Sequence, residues 1–465
     1  MADVSVALAA DPDRLLPADP GTRQIARGLL ALVEKLPIVS VHGHIDIDIL
    51  AEDRPFTDAA SLLVTPDHYV TRLLHAGGVP MERLRPGPGV TAREVWREFC
   101  AGWPRFAGTA SGYWLAGELF HVLGVAEDPS PDNADELFDH IASALARPEF
   151  RPLALFRRFG VEVLATTDDP LDTLDAHRAV RPRARVLPTY RPDRYLNAFD
   201  PAWTGHVDRL IAEAGGGAAG YAGYLSALAG RREHFISAGA VSADHGVRRP
   251  ASARLDRRDA AALFDRLRRG MPNPGDPAMF EAHMLYEMAR MSVDDGLVMT
   301  VHPGIYRSHH GPTLERFGPD TGHDIPVPTS FTAGLQPLLN DFGTAHGFHL
   351  VLFTTDETVF SRELAPLAGF YPSVYLGAPW WFLDAPWAIR RFREAVTETA
   401  GFSRSSGFID DTRGFCSIPA RHDAARRVEA GVLARLVAER RITEDQAADI
   451  VVDLIDAAPR RVFKL

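Results

Sequence analysis

The sequence predicts an α/β fold, a (β/α)8 TIM-like barrel with a mostly helical insertion after its first strand. Three observations carry this. Eight short apolar runs each stop at polar or aromatic residues, as strands buried on both faces do in a parallel sheet. Helical patterns fill most of the gaps between them, such as 261–270 with its closing glycine and 386–399 with proline near its start. The polar clusters also fall at the C-terminal strand ends, where a barrel of this kind carries its chemistry. An open doubly wound sheet is the alternative, but it gives no reason for every run to end in reactive side chains.

The runs follow in order. The first, 38–41, precedes His42-Gly43-His44, and the second, 161–165, precedes Thr166-Thr167-Asp168-Asp169. The third, 186–189, leads to Tyr190-Arg191-Pro192-Asp193, and the fourth and weakest, 240–241, to Ser242-Ala243-Asp244-His245-Gly246. The fifth, 297–301, stops at His302-Pro303-Gly304, and the sixth, 350–353, at Thr354-Thr355-Asp356. The seventh, 374–376, ends in Gly377-Ala378-Pro379-Trp380-Trp381, and the eighth, 407–409, in Asp410-Asp411-Thr412-Arg413. Around them the chain divides into a helical lead-in (1–36), the first strand and its loop (37–59) and a helical insertion (60–158). The rest of the barrel (159–440) and a C-terminal helix (441–465) complete it. The insertion is far longer than a strand-to-strand crossover requires.

Composition removes whole classes of chemistry. Of the 50 basic residues only Lys35 and Lys464 are lysines, and the other 48 are arginines. A Schiff-base or PLP enzyme and a P-loop NTPase each need an active-site lysine. So does a two-metal site bridged by a carboxylated lysine. A net charge of −11 with no basic stripe argues against nucleic acid or an anionic membrane as partner. Cys100 and Cys416 are too few for a disulfide framework or a thiolate metal site. The N-terminal stretch lacks a basic region and a long apolar run, and no apolar stretch approaches the ~18 residues of a membrane span. A soluble, cytoplasmic protein is expected, working as a homo-oligomer on a small molecule.

His42 and His44 carry the strongest signal. Residues i and i+2 of a strand project to the same side, so both imidazoles can reach one divalent ion. Asp411, at the end of the eighth strand, is the natural third donor, because strands 8 and 1 are neighbours in a closed barrel. His302 can approach the ion or a substrate from across the mouth. Asp410 should face the outer helices, since neighbours on a strand alternate. Arg191, Arg307 and Arg413, at or just beyond strand ends, are candidate forks for a carboxylate.

Together these stretches resemble the amidohydrolase superfamily and, within it, the uronate isomerase (glucuronate isomerase) family. The resemblance rests on His42-Gly43-His44, Asp67-His68-Tyr69, Thr166 to Pro170, Leu187 to Asp193 and Ser242 to Gly246. It continues through His302 to Arg307, Phe317 to Gly322, Trp380-Trp381-Phe382 and Asp411-Thr412-Arg413. It implies isomerisation of D-glucuronate to D-fructuronate and of D-galacturonate to D-tagaturonate, with one divalent metal, zinc or manganese, on His42, His44 and Asp411. It further implies Tyr69 as base at C2, helped by Arg413, and Asp411 taking a hydroxyl proton to open the sugar ring. Substrate contacts would come from His68, Arg191, His302, Arg307, Trp380 and Trp381, with Asp244 and His245 behind the ligands. The chain departs from the family pattern at Pro303, at Ser308-His309-His310, at Ala378-Pro379 and at Tyr113 to Ala116. These positions border the pocket and bear on which reaction it supports. A hydrolase or lyase of the same superfamily, acting on another acidic sugar or lactone, is the alternative, and Tyr69 discriminates because hydrolysis needs no base at C2. A non-catalytic sugar-acid binder would have no use for a metal with an open position.

Overall fold

Six of the eight apolar runs form parallel strands in the computed structural model, which describes residues 5–465, and a seventh leads directly into one. Residues 1–4, which belong to the lead-in and to the N-terminal stretch read for a targeting signal, lie outside the described residues. The strands are β1 (Ile38–Ser40), β2 (Val161–Ala165), β3 (Val186–Leu187), β4 (Ser242–His245), β5 (Val298–Val301), β6 (Ile305–Tyr306), β7 (Ile325–Pro326), β8 (Leu350–Leu352) and β9 (Val374–Leu376). Parallel ladders run β1-β2-β3 and β4-β5-β8-β9. Tyr190 joins them: Asp244 N donates to its carbonyl at 2.9 Å and its own N–H points to Ser242 O at 3.3 Å. Beyond β9, Ser406 N donates to Leu376 O (2.9 Å), and His44 N donates to Thr412 O (3.0 Å). That last bond returns the order to the first strand, so the neighbours close into the ring of a (β/α)8 barrel.

Two strands differ from the expectation. The fourth lies two residues later than the Ala240-Val241 run, on Ser242–His245 itself. Its polar side chains are tolerated because they find partners inside the barrel, which an apolar-run criterion does not see. The eighth run forms no regular ladder: Gly407 holds φ +83 against Pro459, and this breaks the extended backbone. The antiparallel pair β6-β7 was not anticipated. It frames an arm carrying the helix Gly311–Phe317, and the arm lies over the strand ends. Gly322 (φ +88) lets it approach the His68 carbonyl, where a Cβ would sit 3.1 Å away.

Alternation along the strands builds the core. Val39, Val163, Val298 and Val351 form one buried cluster inside the ring with Val462 and Phe463, while Leu164, Met299 and Leu350 pack outward under helices. The C-terminal helices Glu444–Val452 and Ala458–Phe463, joined by a π-helical turn, therefore deliver a plug to the bottom of the barrel. Lys464 fastens it, donating to Gly296 O (2.6 Å) and Gly347 O (2.7 Å). Phe463→Ala should cost about 3–5 kcal/mol of stability, read as a lower midpoint in urea unfolding. An unchanged midpoint would show that the plug adds nothing.

Elsewhere, the long helix Ile418–Ala438 packs Ala430, Leu433 and Ala434 against Leu29, Leu30 and Val33 of the helix Pro20–Val33. Asp19 caps the latter, accepting from Thr22 N at 2.8 Å. Between β1 and β2 the chain is helical, and it buries Trp96, Phe99, Trp103 and Phe106 in a cluster that runs on to Ile38, Val161 and Leu164 of the barrel strands. Among the described residues no helix is long and apolar enough to cross a membrane.

Candidate active site

His42 and His44 leave β1 on the same side, and the segment after the irregular eighth run brings Asp411 to them. Asp411 Oδ1 lies 3.4 Å from His42 Nε2 and 3.1 Å from His44 Nε2. Neither approach has hydrogen-bond geometry, and the buried oxygen has no hydrogen-bond partner. Donors held about 2.0–2.1 Å from a tetrahedral ion stand about 3.3 Å from one another, so the three atoms converge on a common point more than they pair. Burial lowers His44 to about 4, which keeps its imidazole neutral as a ligand must be. At His42 burial pulls the same way, but the charges of Asp244 and Asp411 outweigh it and raise its pKa. Burial would push the Asp411 carboxyl up, yet the two imidazoles hold it well below the usual carboxylate range. Asp411 also has φ +44, a left-handed backbone that costs a non-glycine residue energy. Such strain persists where surrounding structure enforces it, and it clusters at functional sites. Ser308 (φ +52), Asp320 (φ +57) and Trp381 (φ +53) share it and line the same cavity.

A second group of donors stands beside the first. His302 Nδ1 donates to Asp244 Oδ1 at 2.5 Å, which leaves Nε2 as an acceptor, buried and without a partner. The His302 ring stacks on His42 (centroids 4.6 Å apart) and on Phe353 (4.1 Å). Asp244 also accepts from Thr300 Oγ1 (2.5 Å) and faces Arg191 Nη1 at 3.2 Å. Burial opposes its charge, but His302 and Arg191 keep it well below the ordinary range. His245, expected behind the ligands, turns the other way: its Nδ1 bonds the Thr300 carbonyl at 2.9 Å. Alternation along β4 is the reason, since Asp244 faces inward. Asp410 likewise turns outward, its Oδ2 accepting from His422 Nε2 at 3.1 Å.

These residues line a cavity of about 650 Å³ with His68, Tyr69, Arg191, Arg307, Trp380, Trp381, Arg413 and Arg421. Asp67 caps the helix His68–Ala76, accepting from Tyr69 N at 2.8 Å, and so places His68 and Tyr69 in its first turn, facing the cavity. Each predicted arginine already has a carboxylate partner. Arg191 Nε donates to Asp193 (2.7 Å), Arg307 pairs with Asp324 (3.1 Å) and Arg413 with Asp320 (3.1 Å). Arg413 is the expected helper of Tyr69. The guanidinium stacked on the Tyr69 ring is that of Arg421, with Cζ 5.2 Å from its centroid. Arg413 is drawn instead to Asp320 on the arm. Burial pushes the Tyr69 phenol well above 10, and Arg421 is the largest influence opposing that rise.

Sequence reasoning missed Arg421 and Asp384, and it gave no role to the aspartates at 193, 320 and 324. Arg421 sits in a helix that carries arginines at 426, 427 and 435 as well, so nothing in the periodicity marks it. The arm aspartates, 320 and 324, lie between β6 and β7, two-residue strands too short to leave an apolar signature.

A donor triad whose atoms converge, with the Asp411 oxygen buried and unpartnered, at the strand ends of an α/β barrel and in a cavity lined by arginines, defines an enzyme class. It is a barrel enzyme that handles a small anionic molecule beside a metal ion. Comparison with known proteins narrows the class: a family model described as glucuronate isomerase matches residues 22–463. The uronate isomerase of Corynebacterium efficiens is 54% identical over 469 residues, covering 99% of this chain and 100% of that protein. The crystal structure of glucuronate isomerase from Caulobacter crescentus superposes with a TM-score of 0.95 at 46% identity, covering 98% of this chain and 96% of its own. That of a uronate isomerase from Thermotoga maritima gives 0.92 at 28% identity, covering 97% and 99%. The chain belongs to the glucuronate isomerase family.

Proposed function

We propose that the protein interconverts aldose and ketose hexuronates, D-glucuronate with D-fructuronate and D-galacturonate with D-tagaturonate, by moving a proton between C2 and C1 through an enediol. The observation that supports this most directly is one cavity in which the His42, His44 and Asp411 donors meet Tyr69 and five arginines. Two imidazoles and a carboxylate suit zinc, and manganese would fit the same donors. Bound there, a divalent ion would supply Lewis-acid polarisation of the substrate's oxygens.

The chain's own groups take the remaining tasks in this reading. Tyr69, as phenolate, removes the C2 proton, and Asp411 accepts a hydroxyl proton as the sugar ring opens. His68, kept neutral by burial, and His302, through its free Nε2, orient hydroxyls. Trp380 and Trp381 wall the cavity and exclude water. Charge supports an anionic substrate. Five arginines and five aspartates line the cavity, so a divalent cation leaves it positive and able to take a carboxylate.

Arg307 has the most exposed side chain of the three predicted clamps, at 48%, and its guanidinium stacks over Trp381 at 4.7 Å. A hydrogen bond to a charged group contributes about 1.5–3 kcal/mol, so Arg307→Ala should raise KM for uronates about 10- to 100-fold. An unchanged KM would move the clamp to Arg413. The reading also makes the enzyme a cytoplasmic homo-oligomer. The exposed Trp387 and Phe370 offer apolar surface for self-association, and ultracentrifugation tests it. The decisive experiment incubates zinc- or manganese-loaded protein with D-glucuronate and D-galacturonate and looks for keto-uronates by NMR. No conversion of either would favour a hydrolase or lyase acting on another acidic sugar.

A further inference from the structure

We propose that Arg421 is a positioning residue for isomerisation: it is the cation that holds Tyr69 ready to act as a base. This rests on reading Tyr69 as the group that removes the C2 proton. Arg421 is 1% exposed and fixed from several directions. Its Nη1 donates to Asp384 Oδ2 (2.6 Å) and to Asp410 O (3.1 Å), and its Nε donates to Ser417 Oγ (3.2 Å). The guanidinium lies over Trp114, with Cζ 3.5 Å from the ring centroid, and the Tyr69 ring is its other aromatic neighbour. Trp114 meets Tyr69 edge-on at 5.5 Å, so the three groups form one packed unit.

A buried guanidinium is costly unless paired, and apolar residues of similar volume often serve stability as well. A charge retained here therefore calls for a use. Tyr69 supplies one. From its own helix it is faced by His68, by Asp67 at the cap and by Arg72, which reaches away to stack on Phe382 at 4.6 Å. Asp384 and Asp411 approach from the segments after β9 and after the eighth run, and Arg421 comes from the helix Ile418–Ala438. The three carboxylates disfavour a phenolate, and Arg421 is the group stacked on the ring that favours one. At an effective dielectric constant near 20, a unit charge about 5 Å away moves a pKa by roughly two.

The test compares metal-loaded Asp384→Asn with Asp384→Asn/Arg421→Gln, so that no carboxylate is left buried without its partner. The double variant should lose about 100-fold in kcat at neutral pH while KM stays within about threefold, and should recover rate as pH rises by about two. Lysine at 421, in Arg421→Lys, should restore most of the loss. A tyrosinate-absorbance titration, taken as the difference from Tyr69→Phe, reads the same shift without turnover. In it Asp384→Asn alone should lower the Tyr69 pKa and loss of Arg421 should raise it. These opposite signs are not produced by loosened packing. An unmoved pH profile and titration, or a KM increase alone, would overturn the proposal. If the double variant does not fold, an Asp384→Asn titration that fails to fall does the same. Wild-type protein that converts no uronate but still shows the titration shifts would count against the functional reading and leave only the electrostatic coupling of Arg421 to Tyr69.

Discussion

Asp411→Asn should leave the protein folded, strip it of metal and lower turnover by about 10³-fold or more. Asparagine is among the residues that most readily adopt the left-handed backbone that Asp411 holds at φ +44. The substitution therefore removes the charge and one donor oxygen without adding backbone strain. His42→Ala should behave alike. It removes the donor 3.4 Å from Asp411 Oδ1 and also the ring on which His302 stacks at 4.6 Å. Metal content by elemental analysis and isomerase assay after added zinc or manganese read both effects. Full activity in a variant that holds no metal would sink the assignment of these residues as ligands. Retained metal with lost turnover would instead limit Asp411 to proton transfer.

Much of this architecture is legible in the chain because it depends on local physics. Strands buried on both faces must be short and apolar, so β1, β2, β5, β8 and β9 stand out from the residues between them. The elements that escape detection are stabilised by distant partners. β4 is polar, yet Asp244 is neutralised by His302 and Arg191 from two other strand ends. The arm framed by β6 and β7 carries few buried side chains and docks through a glycine and the Arg413–Asp320 ion pair. The eighth strand reads as apolar but is bent by Gly407 over Pro459, a residue 52 positions further along.

The site divides the same way. His42 and His44 follow directly on β1 with one residue between them, and closure of the ring sets Asp411 beside them, so the donor set is legible from the strand ends. His245 shows the limit of that logic: adjacent strand residues cannot both face the ligands. Arginines at strand ends could be located but not paired, because their partners Asp320 and Asp324 arrive on the arm. Arg421 was invisible, since its meaning lies in Trp114, Tyr69 and Asp384, which come from three separate stretches of sequence.

Tyr69→Phe should bind uronates with little change and lose proton exchange at C2. The phenylalanine ring keeps the edge-on contact with Trp114 and can still receive the Arg421 guanidinium on its face, so packing around the cavity should survive. Only the oxygen is lost. A positioned general base contributes about 10²–10⁴-fold, and solvent-deuterium incorporation at C2, followed by NMR, should fall within that range. KM should stay near the wild-type value, because the arginines proposed as carboxylate clamps, Arg307 and Arg413, are untouched. Exchange continuing at the wild-type rate would remove Tyr69 from the role of base and with it the use proposed for Arg421. The remaining candidate would be Asp411, whose carboxylate the two imidazoles hold strongly ionised. That makes it a weak base for a carbon acid, and Tyr69, with a phenol of far higher pKa once ionised beside a cation, the stronger one.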